Sequence, residues 1–210
     1  DLIDKEDVII TMSHQGYIKR LPVTTYKPQK RGGRGVNGMT TKEEDFVERM
    51  IVTTTHDTLL VFTNNGKVYS LKAYEVPEAQ RQARGTSIVN IVQLSAGEKV
   101  TALVPVNEFS DDVELVMGTK YGVVKKTSLT SFDSIRKGGI IGISLDDGDE
   151  LIGVKLVSSD DEILMVTKMG MSIKFPHEQI RSMGRTARGV KGIDLKDGDY
   201  VVGMDIALQG

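Results

Sequence analysis

Short apolar runs recur along the chain, and each breaks at a glycine within a few residues. Val8-Ile9-Ile10-Thr11-Met12 turns at Gly16, Leu59-Leu60-Val61-Phe62 at Gly66, Glu114-Leu115-Val116-Met117 at Gly122, and Glu162-Ile163-Leu164-Met165-Val166 at Gly170. A second short run with β-branched residues follows each turn. This strand–turn–strand pattern, with polar or Gly-containing turns, predicts four β-hairpins. Helix is poorly supported, because glycine recurs inside every unit at a cost of roughly 1 kcal/mol per helical position.

The turns are spaced by 50, 56 and 48 residues. A second mark follows each at 17 or 19 residues: Gly35, Gly85, Gly139 and Gly189. A third mark is an acidic turn that opens a further strand: Gly97-Glu98, Gly148-Asp149-Glu150 and Gly198-Asp199, with Glu43-Glu44-Asp45 in the first copy. Asp147-Gly148-Asp149-Glu150-Leu151-Ile152-Gly153-Val154 runs parallel to Asp197-Gly198-Asp199-Tyr200-Val201-Val202-Gly203-Met204. A repeat of about 50 residues with three or four short strands matches a β-propeller blade. One blade cannot bury both faces of its sheet, so neighbours must stack. The expected fold is all-β and propeller-like, one repeat domain over 1–210 with blades near 8–56, 57–111, 112–160 and 161–207. A pair of β-sandwiches is the structural rival.

Charge changes the picture more than composition does. The chain of 210 residues is 39% hydrophobic and carries a net charge of −2, an average that argues against nucleic acid. The stretches 16–35, 66–85, 122–139 and 170–189 nevertheless hold 18 of the 27 basic residues and four of the 29 acidic ones, a net +14 against −16 elsewhere. The clusters are Lys19, Arg20, Lys27, Lys30, Arg31, Arg34; Lys67, Lys72, Arg81, Arg84; Lys125, Lys126, Arg136, Lys137; and Lys174, Arg181, Arg185, Arg188. Equivalent positions on rotated blades fall on one ring, so these clusters predict a basic belt that fits a polyanion. A merely solvated face does not explain why acids avoid the same segments in all four copies. Aromatic content is 5% with no Trp, so platforms for stacking unpaired bases are scarce and duplex DNA is the better fit. Phosphate contacts of this kind carry no base sequence, so the expected selectivity is for shape and bendability.

The most specific segment is Gln29-Lys30-Arg31-Gly32-Gly33-Arg34-Gly35. Its glycines permit positive φ and close approach of backbone amides to phosphate. Arg31 and Arg34 offer planar forks for phosphate oxygens, and Lys30 a point charge. Gln29 either bonds phosphate or latches the loop to a neighbouring blade. The segment matches at all seven positions the box Gln-(Arg/Lys)-Arg-Gly-Gly-(Arg/Lys)-Gly of the C-terminal pinwheel domain found in the bacterial DNA gyrase A subunit. Gly16-Tyr17-Ile18-Lys19-Arg20-Leu21-Pro22 and Gly184-Arg185-Thr186-Ala187-Arg188-Gly189-Val190-Lys191-Gly192-Ile193 resemble that family too.

The resemblance covers essentially the whole chain. It implies a β-pinwheel that wraps double-stranded DNA on its outer rim and supports negative supercoiling. The partners it implies are the gyrase B subunit and the remainder of the gyrase A subunit. It also implies that the cleavage tyrosine, ATP and Mg belong to other parts of the holoenzyme, so this piece needs no cofactor of its own. The related domain of topoisomerase IV typically has a degraded box, so an intact one favours gyrase. Gyrase domains usually have six blades against four here, which makes a fragment the expectation. The second and fourth units lack the paired bases that follow Gly16 and Gly122, which predicts weaker contacts there.

Other chemistry finds little support. The absence of cysteine excludes disulfides and thiolate metal sites, and His14, His56 and His177 show no ligand spacing. None of the six tyrosines sits beside a base and an acidic metal cluster, and no P-loop is present, so no catalytic residue and no metal site is expected. The acidic groups at 146–150 and 197–199 read as solvated turns rather than a cation site. No apolar run nears the roughly 20 residues that span a bilayer, and no signal-peptide pattern opens the chain, so a cytoplasmic protein is expected, and the gyrase resemblance implies a bacterial, DNA-associated one. A propeller docking an acidic protein partner through the same belt is the alternative of a different class.

Overall fold

In the computed structural model, residues 2–25 and 45–208 are described. The chain is all-β and adopts a four-blade, propeller-like arrangement. Strands β1 (Asp7–Ser13), β2 (Tyr17–Pro22) and β3 (Val47–Thr54) form the first unit, and β4 (Thr58–Thr63), β5 (Lys67–Lys72), β6 (Thr86–Ser87) and β7 (Val100–Val106) belong to the second. The third supplies β8 (Glu114–Thr119), β9 (Val123–Ser128), β10 (Ile140–Ile141) and β11 (Leu151–Val157). The fourth supplies β12 (Asp161–Thr167), β13 (Ser172–Pro176), β14 (Val190–Lys191) and β15 (Val201–Leu208).

The sheets do not coincide with the sequence units. Their strand orders are β3-β1-β2-β6, β10-β5-β4-β7, β11-β8-β9-β14 and, among the described residues, β13-β12-β15. Each of the first three sheets therefore borrows a fourth, two-residue strand from the unit that follows. Thr86 and Ser87 pair with Ile18 and Tyr17, Ile140 and Ile141 with Val68 and Lys67, and Val190 and Lys191 with Val124 and Val123. Sequence spacing could not show this, because it locates repeats and not their partners.

The borrowed strand explains the second glycine mark. Gly85 and Gly189 have φ of +94° and +97°, and an added Cβ would lie 2.5 Å from the carbonyl oxygens of Ile18 and Val124. Only glycine lets the incoming chain turn left-handed there while touching the receiving backbone. Gly139 plays the same part at φ +80°, where a Cβ would meet the Tyr69 ring at 2.7 Å.

Two compact units divide the chain. The first comprises Asp1–Leu59, Ser70–Leu94 and Pro105–Asn107, and the second Leu60–Tyr69, Ser95–Val104 and Glu108–Gly210. The first unit buries Val8, Ile10, Met12, Ile18 and Leu21 of its opening hairpin. In the second, Phe62 and Phe132 meet edge to face with centroids 5.7 Å apart. There, too, Val116 and Val124 of the third sheet share a cluster with Ile163, Met165, Val201 and Met204 of the fourth.

The acidic turns are solvated in part: Asp146, Asp147 and Asp197 are exposed as expected, but one carboxylate of each turn is buried, which corrects the reading there. Asp45, Glu98, Asp149 and Asp199 are only 6–9% exposed. Asp45 accepts from the N–H groups of Gln15 and Phe46 (3.0 Å each), Asp149 from Tyr121 and Glu150 (2.9 and 2.8 Å), and Asp199 from Met169 and Tyr200 (3.0 and 2.9 Å). Each carboxylate thus clasps the hairpin turn of its own unit to the strand it opens. In the second unit the longer Glu98 instead takes the hydroxyls of Thr63 (2.5 Å) and Tyr69 (2.7 Å) and the Ser95 N–H (2.8 Å). The carboxylates are spent on backbone and hydroxyl donors, and no metal-binding group occurs among the described residues.

Asp149→Ala leaves two turn amides without their acceptor, and should destabilise the fold by about 1–3 kcal/mol in urea unfolding. Asp57 gives a pH signature. Burial alone would push its carboxyl up, but the Thr53 hydroxyl and the N–H and hydroxyl of Thr54 hold it below 3.8. Its contribution to stability is full above about pH 3.8 and disappears as pH falls through the lower folded value. Asp57→Asn should therefore flatten the acid limb of the stability–pH curve.

Candidate nucleic-acid interface

The basic residues sort into two populations. Lys19 and Lys125 are fully buried at 0% exposure, and Lys126 is 5% exposed. All three were expected on an exposed belt, and the structure corrects this. Lys19 and Lys125 occupy the same place, three residues past the hairpin glycine. At that position in a strand the side chain points into the blade beneath the loop that arrives from the next unit. Lys19 Nζ donates to the carbonyls of Gln80 (3.3 Å), Arg81 (2.5 Å) and Ala83 (3.0 Å). Lys125 Nζ donates to those of Gly184 (3.1 Å), Arg185 (2.5 Å) and Gly142 (2.6 Å). Burial, and then the neighbouring Arg81 or Arg185, lowers both ammonium groups from 10.5 to about 8. Both remain charged at neutral pH.

Lys126 is spent internally as well. It donates to the carbonyl of His177 (3.0 Å), meets that ring's Nδ1 at 3.2 Å and pairs with Glu114 at 3.5 Å. Arg20, its counterpart in the first unit, is half-buried and donates from Nε to the Val76 carbonyl at 2.9 Å. The paired bases after Gly16 and Gly122 thus fasten the following unit. Their absence elsewhere is no measure of weaker phosphate contact.

The second population stands on the surface. Lys72, Arg136, Lys137, Lys174, Arg181 and Arg188 are exposed, and Lys67, Arg81, Arg84 and Arg185 half-buried. Arg84 lies over the Tyr17 ring at 4.7 Å, and Lys67 over Tyr69 at 5.9 Å. Arg185 donates to the Ile141 carbonyl (2.8 Å), and Lys72 to the Thr58 hydroxyl (3.3 Å). Arg188 makes an exposed pair with Asp146 at 3.2 Å, the kind that phosphate can displace. Lys27 and the box, Gln29, Lys30, Arg31, Gly32, Gly33, Arg34 and Gly35, lie outside the described residues.

One signal in the sequence was missed. Arg31-Gly32-Gly33-Arg34-Gly35 recurs as Arg81-Gln82-Ala83-Arg84-Gly85 and Arg185-Thr186-Ala187-Arg188-Gly189, so Arg-x-x-Arg-Gly is itself part of the repeat. The two described copies are the loops gathered by Lys19 and Lys125. In the third unit the stretch up to Gly139 is two residues shorter and lacks the motif. It lies on Tyr69, whose hydroxyl is turned to Glu98.

A borrowed-strand repeat with arginine loops at its junctions defines a propeller-like domain of the pinwheel class. Comparison with known proteins specifies it further. The family model described as DNA gyrase C-terminal domain, beta-propeller, matches residues 7–54, 57–107, 114–158 and 161–207, and the chain belongs to that family. It is 49% identical over 206 residues to the DNA gyrase A subunit of Salmonella typhimurium, covering 98% of this chain and 24% of that protein. It is 50% identical over 208 residues to its Staphylococcus aureus counterpart, covering 99% and 23%. The chain spans about a quarter of the length of these curated relatives. Among solved structures it superimposes on the C-terminal domain of DNA topoisomerase IV with TM-score 0.83 at 30% identity, covering 99% of this chain and 63% of that one. The DNA gyrase A C-terminal domain gives TM-score 0.74 at 27% identity, covering 95% and 64%.

Burial separates the lysines in a measurable way. At pH 7.5, an amine-directed acylating reagent should modify Lys137 and Lys174 readily and Lys19, Lys125 and Lys126 far more slowly, as read by peptide mass spectrometry.

Proposed function

We propose that this chain binds double-stranded DNA without sequence preference, bends it across successive blades, and in a gyrase holoenzyme supports negative supercoiling. The observation that carries this reading is the arginine loop set at the same place on two blades and repeated in the box at 29–35. Each of the two described copies offers two guanidinium forks on a turn whose carbonyls face inward, an arrangement suited to phosphate oxygens. Contacts on successive blades require a bent duplex, costing about 1–6 kcal/mol for a short site, which several phosphate contacts offset. The chain does no chemistry in this scheme and calls on no cofactor. Cleavage and ATP use belong to other parts of the holoenzyme, in the bacterial cytoplasm.

Identity near 50% to gyrase A subunits, together with the intact box, supports gyrase over topoisomerase IV. Docking of an acidic protein through the same loops is the second reading. Affinity for duplex DNA should fall with salt at a log–log slope of about −0.9 per phosphate engaged. Arg185→Ala with Arg188→Ala should make that slope shallower by roughly two, about one for each lost contact. A salt-independent affinity, or a double variant that binds duplex like the parent but loses an acidic protein, favours the second reading. Relaxed circular DNA, closed by a nicking-closing enzyme in the presence of the full-length protein, should trap writhe of one sign.

A further inference from the structure

Two lysines that a basic belt would place in solvent are instead wholly buried, each beneath an arginine loop. The correspondence extends to individual atoms. Gln80 and Gly184 are equivalent in the repeat, as are Arg81 and Arg185, and in both blades these two carbonyls accept from the ammonium. In the fourth unit's loop the Ser144 hydroxyl takes the Thr186 carbonyl (2.6 Å) and the Ser144 N–H takes that of Ala187 (3.2 Å). Four consecutive carbonyls, 184–187, are thereby turned toward the protein. Converging carbonyl dipoles repel one another, and a buried cation removes that repulsion. Where the hairpin position holds Tyr69 instead of lysine, the loop that arrives has no Arg-x-x-Arg-Gly.

We propose that Lys19 and Lys125 are positioning residues for the DNA-contacting loops. Each ammonium is the internal cation around which the Arg-x-x-Arg-Gly loop of the following repeat is folded, so that its arginines meet phosphate from a fixed backbone. The proposal rests on the duplex-binding reading above. It separates two roles that sequence alone merges: the arginines touch the ligand, and the lysines act only through them. The values near 8 agree with a charged ammonium at working pH.

The test uses the full-length protein that carries this chain. Lys125→Met keeps the apolar stem and removes the charge. Cleavage by trypsin after Arg185 and Arg188, read by mass spectrometry without DNA, should speed up, and duplex affinity should weaken roughly tenfold, as for loss of one charge-assisted contact. In Lys125→Ala, propylammonium should restore both, whereas tetramethylammonium at equal ionic strength, which donates no hydrogen bond, should restore neither. A loop that stays closed in Lys125→Met, or a loop that opens with affinity unchanged, overturns the proposal. So does rescue by both cations alike. Arg185→Ala with Arg188→Ala is measured alongside. If that variant binds duplex like the parent, the duplex-binding reading of the loop fails on its own, whatever the lysine does to loop mobility. Should the lysine variants not fold, the parent protein decides. Trypsin should cut after Arg136 and Lys137, in the loop without a lysine beneath it, before it cuts after Arg185 and Arg188, and the reverse order overturns the proposal.

Discussion

Each of the first three repeats leaves its hairpin with one unpaired edge, and the next repeat closes that edge with two residues. An open strand edge presents unpaired N–H and C=O groups, and pairing them in this way turns a run of hairpins into a linked series. Much else follows from that exchange. The chain must reach the receiving hairpin, turn sharply and touch its backbone, which only Gly85 and Gly189 at positive φ allow. The residues just before those glycines are then laid across the preceding blade, so the position of each of the two described arginine loops is set by its predecessor. The buried lysines belong to this device. Burying an ammonium costs several kcal/mol, and three carbonyls on each offset that cost while holding the loop in one place.

Charge in this protein works in three settings that a net value of −2 conceals. Buried carboxylates at 45, 149 and 199 clasp hairpin turns, and that of Glu98 accepts from the Thr63 and Tyr69 hydroxyls. Buried ammonium groups at 19, 125 and 126 clasp arriving loops. Among the described residues, the arginines and lysines of the second population stand at or near the surface, as in the exposed Arg188–Asp146 pair. A count of bases per segment therefore overstates the number of exposed cations, because in the first and third clusters part of the charge is buried scaffold.

The comparisons divide along the same line. The shape is shared with the C-terminal domains of both topoisomerase IV and gyrase at identities of 30% and 27%. Identity near 50% is found with gyrase A subunits. A fold of this kind hosts a function through the residues grafted on its loops.

Repeat period, strand content, turn glycines and the segregation of basic from acidic residues were all legible in the amino-acid order, because each is a local property of adjacent residues. The recurrence of Arg-x-x-Arg-Gly was legible as well, though it emerged only once Lys19 and Lys125 marked the same loop twice. Three things were decided by tertiary structure alone: which sheet each short strand joins, which lysines face carbonyls rather than solvent, and that one carboxylate of each acidic turn is buried. Strand exchange depends on a partner about 70 residues away, as between Tyr17 and Ser87. An ammonium reads identically in sequence whether it meets water, phosphate or a ring of carbonyls. Only packing determines which of these lies within reach of it.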